Sequence, residues 1–345
     1  MENKKDLSSV IKKMPKAELH LHLEGAFTFE FLFQLIEKYG GDPGITGAGD
    51  LEKKFIFTDF PHFIDAWIWK NRFFRMAADF EDSTYSTLRD LHEQNVIYAE
   101  VYYSPWDFTD NGLKVEEITE ATISALRRAR NDFGIKSNLI ADIIRDRGAE
   151  GAVERIDQVT PYLNNGVIGI GLGGSEQAFP AEMFKDAFRE AKKRGFRLVA
   201  HAGEAAGPES VRAAVELLGA ERIGHGVRAV EDPHLVEYLN TKQIPLEVCL
   251  TSNLKTRIFP SPEAHPFKGF YQQGLNVTIN SDDPAMFGST ITGEMLLLHD
   301  RLDFSLGDLK ILTLKAIEAS FLPDNEKEEL KQTVAAFDKD RYLAE

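Results

Sequence analysis

The chain has 345 residues, a formal net charge of −15, 43% hydrophobic and 28% charged residues, and a single cysteine, Cys249. This composition is globular rather than disordered, the acidic balance leaves no basic footprint for nucleic acid, and one cysteine excludes an internal disulfide or a CxxC metal site. No apolar run reaches the ~20 residues of a membrane span. The opening MENKKDLSSVIKKMPK has no signal-peptide apolar core, so a cytoplasmic protein without membrane partners is expected.

Eight short β-rich runs recur along the chain: AELHLHLEG (17–25), VIYAEVYYSP (96–105), SNLIADIIR (137–145), VIGIGLGGSE (167–176), RLVAHAGE (197–204), RIGHGV (222–227), PLEVCLTSN (245–253) and NVTINSDDP (276–284). Helical spacing is read between them over 115–133, 180–194, 208–218 and 232–242. Strands alternating with helices indicate a parallel sheet, and eight of them close an α/β (β/α)8 TIM barrel. An open doubly wound sheet is the alternative, but no GxGxxG follows an early strand. The whole of 1–345 reads as one barrel domain with two additions. The first is a long helical insertion after strand one, 26–95, with helices near 28–39, 61–78 and 80–94 and many aromatics (Phe55, Phe57, Phe60, Phe63, Trp67, Trp69, Phe73, Phe74). These rings either pack an extra helical layer or, in part, form a lid over the barrel mouth. The second is a helical C-terminal tail, 289–345.

Polar residues cluster at the strand ends. His20 and His22 alternate on one strand, so both rings face the same side; they suit a metal ion, or the solvated face of an antiparallel strand. His201 ends the fifth run, with Glu204 three residues later as either a proton-transfer group or a helix cap. His225 lies between two glycines, as a site residue or a satisfied structural histidine. Asp282 and Asp283 close the eighth run, either as a ligand and its neighbour or as a turn. Alternation within a strand predicts that these two carboxylates face opposite ways. Nitrogen and oxygen ligands without thiolate suit zinc, which lowers the pKa of bound water to about 7. The combination points to metal-assisted hydrolysis, and Cys249 reads as a buried apolar residue.

The stretches PKAELHLHLEGA (15–26), LGGSE (172–176), HAGE (201–204), RIGHGV (222–227), EVCLTSN (247–253) and NSDDP (280–284) occur in the order of the adenosine deaminase family of the amidohydrolase superfamily, which the chain resembles over roughly residues 10–340. The resemblance implies one zinc per chain, with Fe2+ as the alternative, held by His20, His22, His201 and Asp282. It implies Glu204 as the donor of a proton to purine N1, and His225 as the residue orienting the attacking water. Asp283 would engage N7, and Gly174 the N3 edge. His22 and Glu24 would lie on the substrate side; Glu24 stands where adenosine-specific members usually carry Asp. The activity implied is hydrolytic deamination of a 6-aminopurine nucleoside, adenosine to inosine plus ammonia. 6-Aminodeoxyfutalosine and free adenine are alternative substrates, and the oligomeric state is left open. A binuclear amidohydrolase reaction is disfavoured because no Lys ends the fourth run. A non-catalytic binding module is disfavoured because every implied catalytic position holds a competent residue.

Overall fold

The computed structural model describes residues 4–58 and 60–337; the end of the expected tail, 338–345, lies outside the described residues. Eight parallel strands, β1 (Lys16–His22), β2 (Val96–Tyr103), β3 (Lys136–Ile144), β4 (Val167–Gly173), β5 (Arg197–Ala202), β6 (Arg222–His225), β7 (Leu246–Val248) and β8 (Val277–Ile279), are arranged in sequence order. The ring closes through a bridge between Leu21 and Asp282. There Asp282 N donates to His20 O at 3.0 Å and His22 N donates to Asp282 O at 2.9 Å. The architecture is the expected (β/α)8 barrel.

The strands are buried on both faces, as a parallel sheet covered by helices requires. Their outward residues (Val101, Leu139, Ile170, Leu198, Ile223) join the main apolar core under the helices. The barrel lumen is unusually polar: Glu18, His20, Glu100, Glu247 and Arg222 are all buried. Arg222 donates from Nε to Glu247 and from Nη1 to Glu100, each at 2.5 Å. The Phe321 ring lies 3.7 Å from the guanidinium carbon. Charges this deep persist only when paired and hydrogen-bonded.

The helix over Val115–Phe133 has the expected bounds. Other segments depart from expectation. The seventh run is a strand only over Leu246–Val248, and Leu250–Lys255 is helical. Both Leu250 N and Thr251 N donate to the Glu294 carboxylate, which satisfies the free donors of that helix start. The reading of 208–218 as one helix resolves into an α-helix, Pro208–Ala213, and a π-helical turn, Ala214–Leu218. In the insertion, helices run over Phe29–Lys38, Ala48–Lys54, Phe60–Asn71 and Ala77–Glu93. The second of these was not anticipated from its glycine-rich start. The third stops at Asn71, where the Asn111 side chain donates to the carbonyls of Asn71 and Phe74. Three helices of the tail, Ile291–Leu302, Leu306–Ala319 and Asp324–Ala335, cover the β8–β1 side. None of the described helices is long and apolar enough to cross a membrane.

Candidate active site

A cavity of about 620 Å3 opens at the carboxyl ends of the strands, the face where barrel enzymes place their chemistry. His22, Gly174, His201, Glu204, His225, Asp282 and Asp283 all line it. Phe63 and Trp67, from the insertion helix Phe60–Asn71, form part of the mouth. Phe55, Phe57, Phe73 and Phe74 belong to the apolar core, and so does Phe63. The side chain of Phe60 lies outside the described residues.

His20 and His22 point inward from β1 as alternation requires. His22 Nε2 lies 3.1 Å from His201 Nε2. Asp282 Oδ1 is 3.4 Å from His20 Nε2 and 3.5 Å from His22 Nε2. Four ligands held tetrahedrally at 2.0–2.1 Å from one ion are about 3.3 Å apart, so these separations suit a divalent cation. Two of the three rings are also set to offer the right nitrogen. His20 Nδ1 donates to Glu247 Oε2 at 2.9 Å, leaving Nε2 free and buried without a hydrogen-bond partner. His201 Nδ1 donates to Leu172 O at 3.2 Å, again presenting Nε2. Such hydrogen bonds fix the tautomer of a metal-binding histidine. Cys249 lies near His20 and Asp282. Burial pushes its thiol well up.

Glu204 follows β5 in a loop organised by Glu176, whose carboxylate accepts from the backbone N–H groups of Gly203, Glu204, Ala205 and Ala206. Burial, reinforced by the charges of Asp282 and Glu176, pushes the Glu204 carboxyl well above the usual range, so it is a neutral acid. Its Oε2 lies 3.6 Å from His225 Nε2. A relay fixes that ring: His265 Nε2 donates to Asn253 Oδ1 at 3.1 Å, and Asn253 Nδ2 donates to His225 Nδ1 at 3.3 Å. The proton of neutral His225 therefore sits on Nε2, facing the cavity.

Asp282 and Asp283 do not face opposite ways, contrary to expectation. β8 ends at Ile279, and Asp282 has a φ of 65°, so the backbone turns and both carboxylates reach the cavity. Burial and the Asp282 charge push Asp283 well up. Glu24, expected on the substrate side, sits in the 3-10 turn Leu23–Gly25, buried and next to the cavity-lining Ser104 without itself lining the cavity. There its Oε1 accepts from Ser104 N at 2.7 Å, and it faces the fully buried Lys70.

Sequence reasoning missed Glu247, Arg222, Glu176, Asn253, Arg145 and Asp142. Arg145, buried, donates to Phe179 O and His201 O and ties the end of β3 to β5. Glu176 and Glu247 lay inside quoted motifs; the signal available was a charged residue within a run that should be buried on both faces.

The chain matches the adenosine deaminase family over residues 15–337. It is similar to an adenine deaminase of Crocosphaera subtropica, 35% identical over 324 residues, which are 94% of this chain and 99% of that protein. Among solved structures, an adenine deaminase from Arthrobacter aurescens superposes with a TM-score of 0.90 at 34% identity, covering 93% of this chain and 98% of that one. An amidohydrolase from Burkholderia ambifaria with bound Zn gives 0.91 at 27% identity, over 100% and 96%. With a match spanning every strand and both ends of the cavity, this chain belongs to the adenosine deaminase family.

Proposed function

We propose that the protein hydrolytically deaminates a 6-aminopurine, with free adenine as the substrate and one zinc ion held by His20, His22, His201 and Asp282. The observation that carries this reading is a buried Glu204 beside His225 in the same cavity as His22, His201 and Asp282, with His20 Nε2 turned toward Asp282. A bound divalent ion supplies Lewis-acid activation of water at neutral pH. The protein's own residues do the rest. Glu204 carries the proton for ring N1, and protonation there makes C6 open to attack by water. His225, with its proton on Nε2, orients the attacking oxygen. Asp283, held protonated, donates to N7, and the Gly174 backbone faces the N3 edge. Ammonia leaves from C6, and the product is the 6-oxopurine.

Free adenine is favoured over a nucleotide on two grounds. The relatives named adenine deaminase match nearly the full length. Among the described residues, the cavity wall carries Asp107, Asp110, Asp142 and Asp146 against Arg72, Arg147 and Arg155, apart from the neutral Glu204 and Asp283 and the ligand Asp282. Arg147 is already paired with Asp107 and Asp110. Such a wall suits an uncharged ligand better than a phosphate. One observation favours adenosine as a second reading: about 620 Å3 is more room than a bicyclic base fills.

The test is a comparison of kcat/KM for adenine, adenosine, 2′-deoxyadenosine, 6-aminodeoxyfutalosine and AMP on zinc-loaded protein, following ammonia release. Adenine is expected to lead by at least tenfold and AMP to be the poorest. A lead for adenosine transfers the assignment to the nucleoside. Turnover of none of them refutes the reading.

A further inference from the structure

Asp142 has no role in the site as described so far, yet its position is costly. It lies at the end of β3, 1% exposed, and lines the cavity. Neither Oδ1 nor Oδ2 has a hydrogen-bond partner. A buried carboxyl with both oxygens unmatched is strongly disfavoured, so its persistence calls for a partner that is not part of the chain.

The adjacent strand is built around it. Gly171 and Gly173 are two residues apart on β4 and face the Asp142 carboxyl. A Cβ at Gly171 would overlap Oδ1, and one at Gly173 would overlap Oδ2. Glycine in a strand interior weakens it and marks a close approach; here two of them keep a slot open for one carboxyl group. Tyr102 borders the same slot.

The slot lies at β3 and β4, and Tyr102 beside it also packs against His20, His22 and His201. In the strand order, β3 stands across the barrel from β7, whereas Glu204 and His225 follow β5 and β6, and Asp282 and Asp283 follow β8. A purine placed with its amino group toward the latter residues turns its opposite edge to β3 and β4.

We infer that Asp142 is a specificity-determining residue that accepts a hydrogen bond from a donor on the purine edge remote from the amino group. The donor is the ring N9–H of a free base or a hydroxyl of a sugar carried at N9. The inference rests on the aminopurine deaminase reading and deepens it: the substrate must bring its own N–H or O–H to this wall. A 9-alkylated base with neither is then discriminated against, because it leaves a buried acceptor empty.

The experiment compares adenine, adenosine and 9-methyladenine in the wild type and in Asp142→Ala and Asp142→Asn. In the wild type, adenine or adenosine is expected to exceed 9-methyladenine in kcat/KM by tenfold or more; whichever does so identifies the donor. Asp142→Ala should abolish that preference while changing 9-methyladenine less than threefold, and Asp142→Asn, which keeps one acceptor oxygen, should retain part of it. The Tm of Asp142→Ala should equal or exceed that of the wild type, since no contact within the chain is lost. Equal loss on all three substrates, or a lowered Tm with the preference intact, overturns the inference and leaves the deaminase reading standing. Equilibrium dialysis of hypoxanthine against 9-methylhypoxanthine makes the same comparison without turnover. Equal affinities for the two in wild type and variants also overturn it.

Discussion

Glu247→Gln changes one oxygen to an amide nitrogen and should disable the site from behind. In the native protein, Glu247 Oε2 accepts from His20 Nδ1 at 2.9 Å and Tyr102 Oη at 2.7 Å, while Oε1 accepts from Arg222 Nε. All three partners donate, and glutamine has only one acceptor oxygen. If that oxygen turns to Arg222, the amide N–H faces His20 Nδ1 and draws the imidazole proton to Nε2, the atom offered to the ion. If it turns to His20, an amide N–H opposes the guanidinium in a fully buried space. Disturbing a hydrogen bond that orients a metal ligand costs ~10–100-fold in metal affinity, or about 1.4–2.8 kcal/mol. Breaking a buried ion pair costs ~3–5 kcal/mol, and the lower end applies because Arg222 keeps Glu100. The assay is zinc titration of metal-free protein against a chromophoric chelator, with urea unfolding alongside. A folded Glu247→Gln that binds zinc as tightly as the wild type would refute the reasoning.

Three further outcomes follow from the geometry. Glu204→Gln should lower kcat by ~10²–10⁴-fold with zinc content unchanged by metal analysis; near-wild-type turnover would remove Glu204 as proton donor. Gly25→Ala places a Cβ 2.5 Å from the Asp283 carboxyl carbon, so kcat/KM should fall by at least about tenfold while circular dichroism stays native, and full activity would show that Asp283 does not act on substrate. Burial pushes His265 down to about 3 from an ordinary 6.5. The unfolded chain therefore binds more protons between those values, and stability is lost as pH falls from 6.5 toward 3. Between pH 6.5 and 5 the loss is about 2 kcal/mol, and unfolding of His265→Gln should lack that component.

The barrel was readable because each strand announces itself by a short apolar run ending in glycine or polar residues, and the ligands lie at those ends. His20 and His22 follow directly from period-two alternation. What could not be read was anything depending on where one strand's side chain meets another's. Glu247, Arg222 and Glu100 are each an isolated charge in sequence and become a network only because β2, β6 and β7 face a common lumen. Asp282 and Asp283 were misread because alternation assumes a strand, and β8 stops at Ile279. The 3-10 turn that carries Glu24 needs Gly25, which shows only when Asp283 is seen pressed against it. The short helix Ala48–Lys54 failed to register because glycines at both 47 and 49 dilute its periodicity.

The seam of the barrel is fastened by the backbone of Asp282 to His20 and His22. Ligand geometry and ring closure thus depend on the same backbone hydrogen bonds. A slip of register between the first and last strands would therefore displace His20, His22 and Asp282 together.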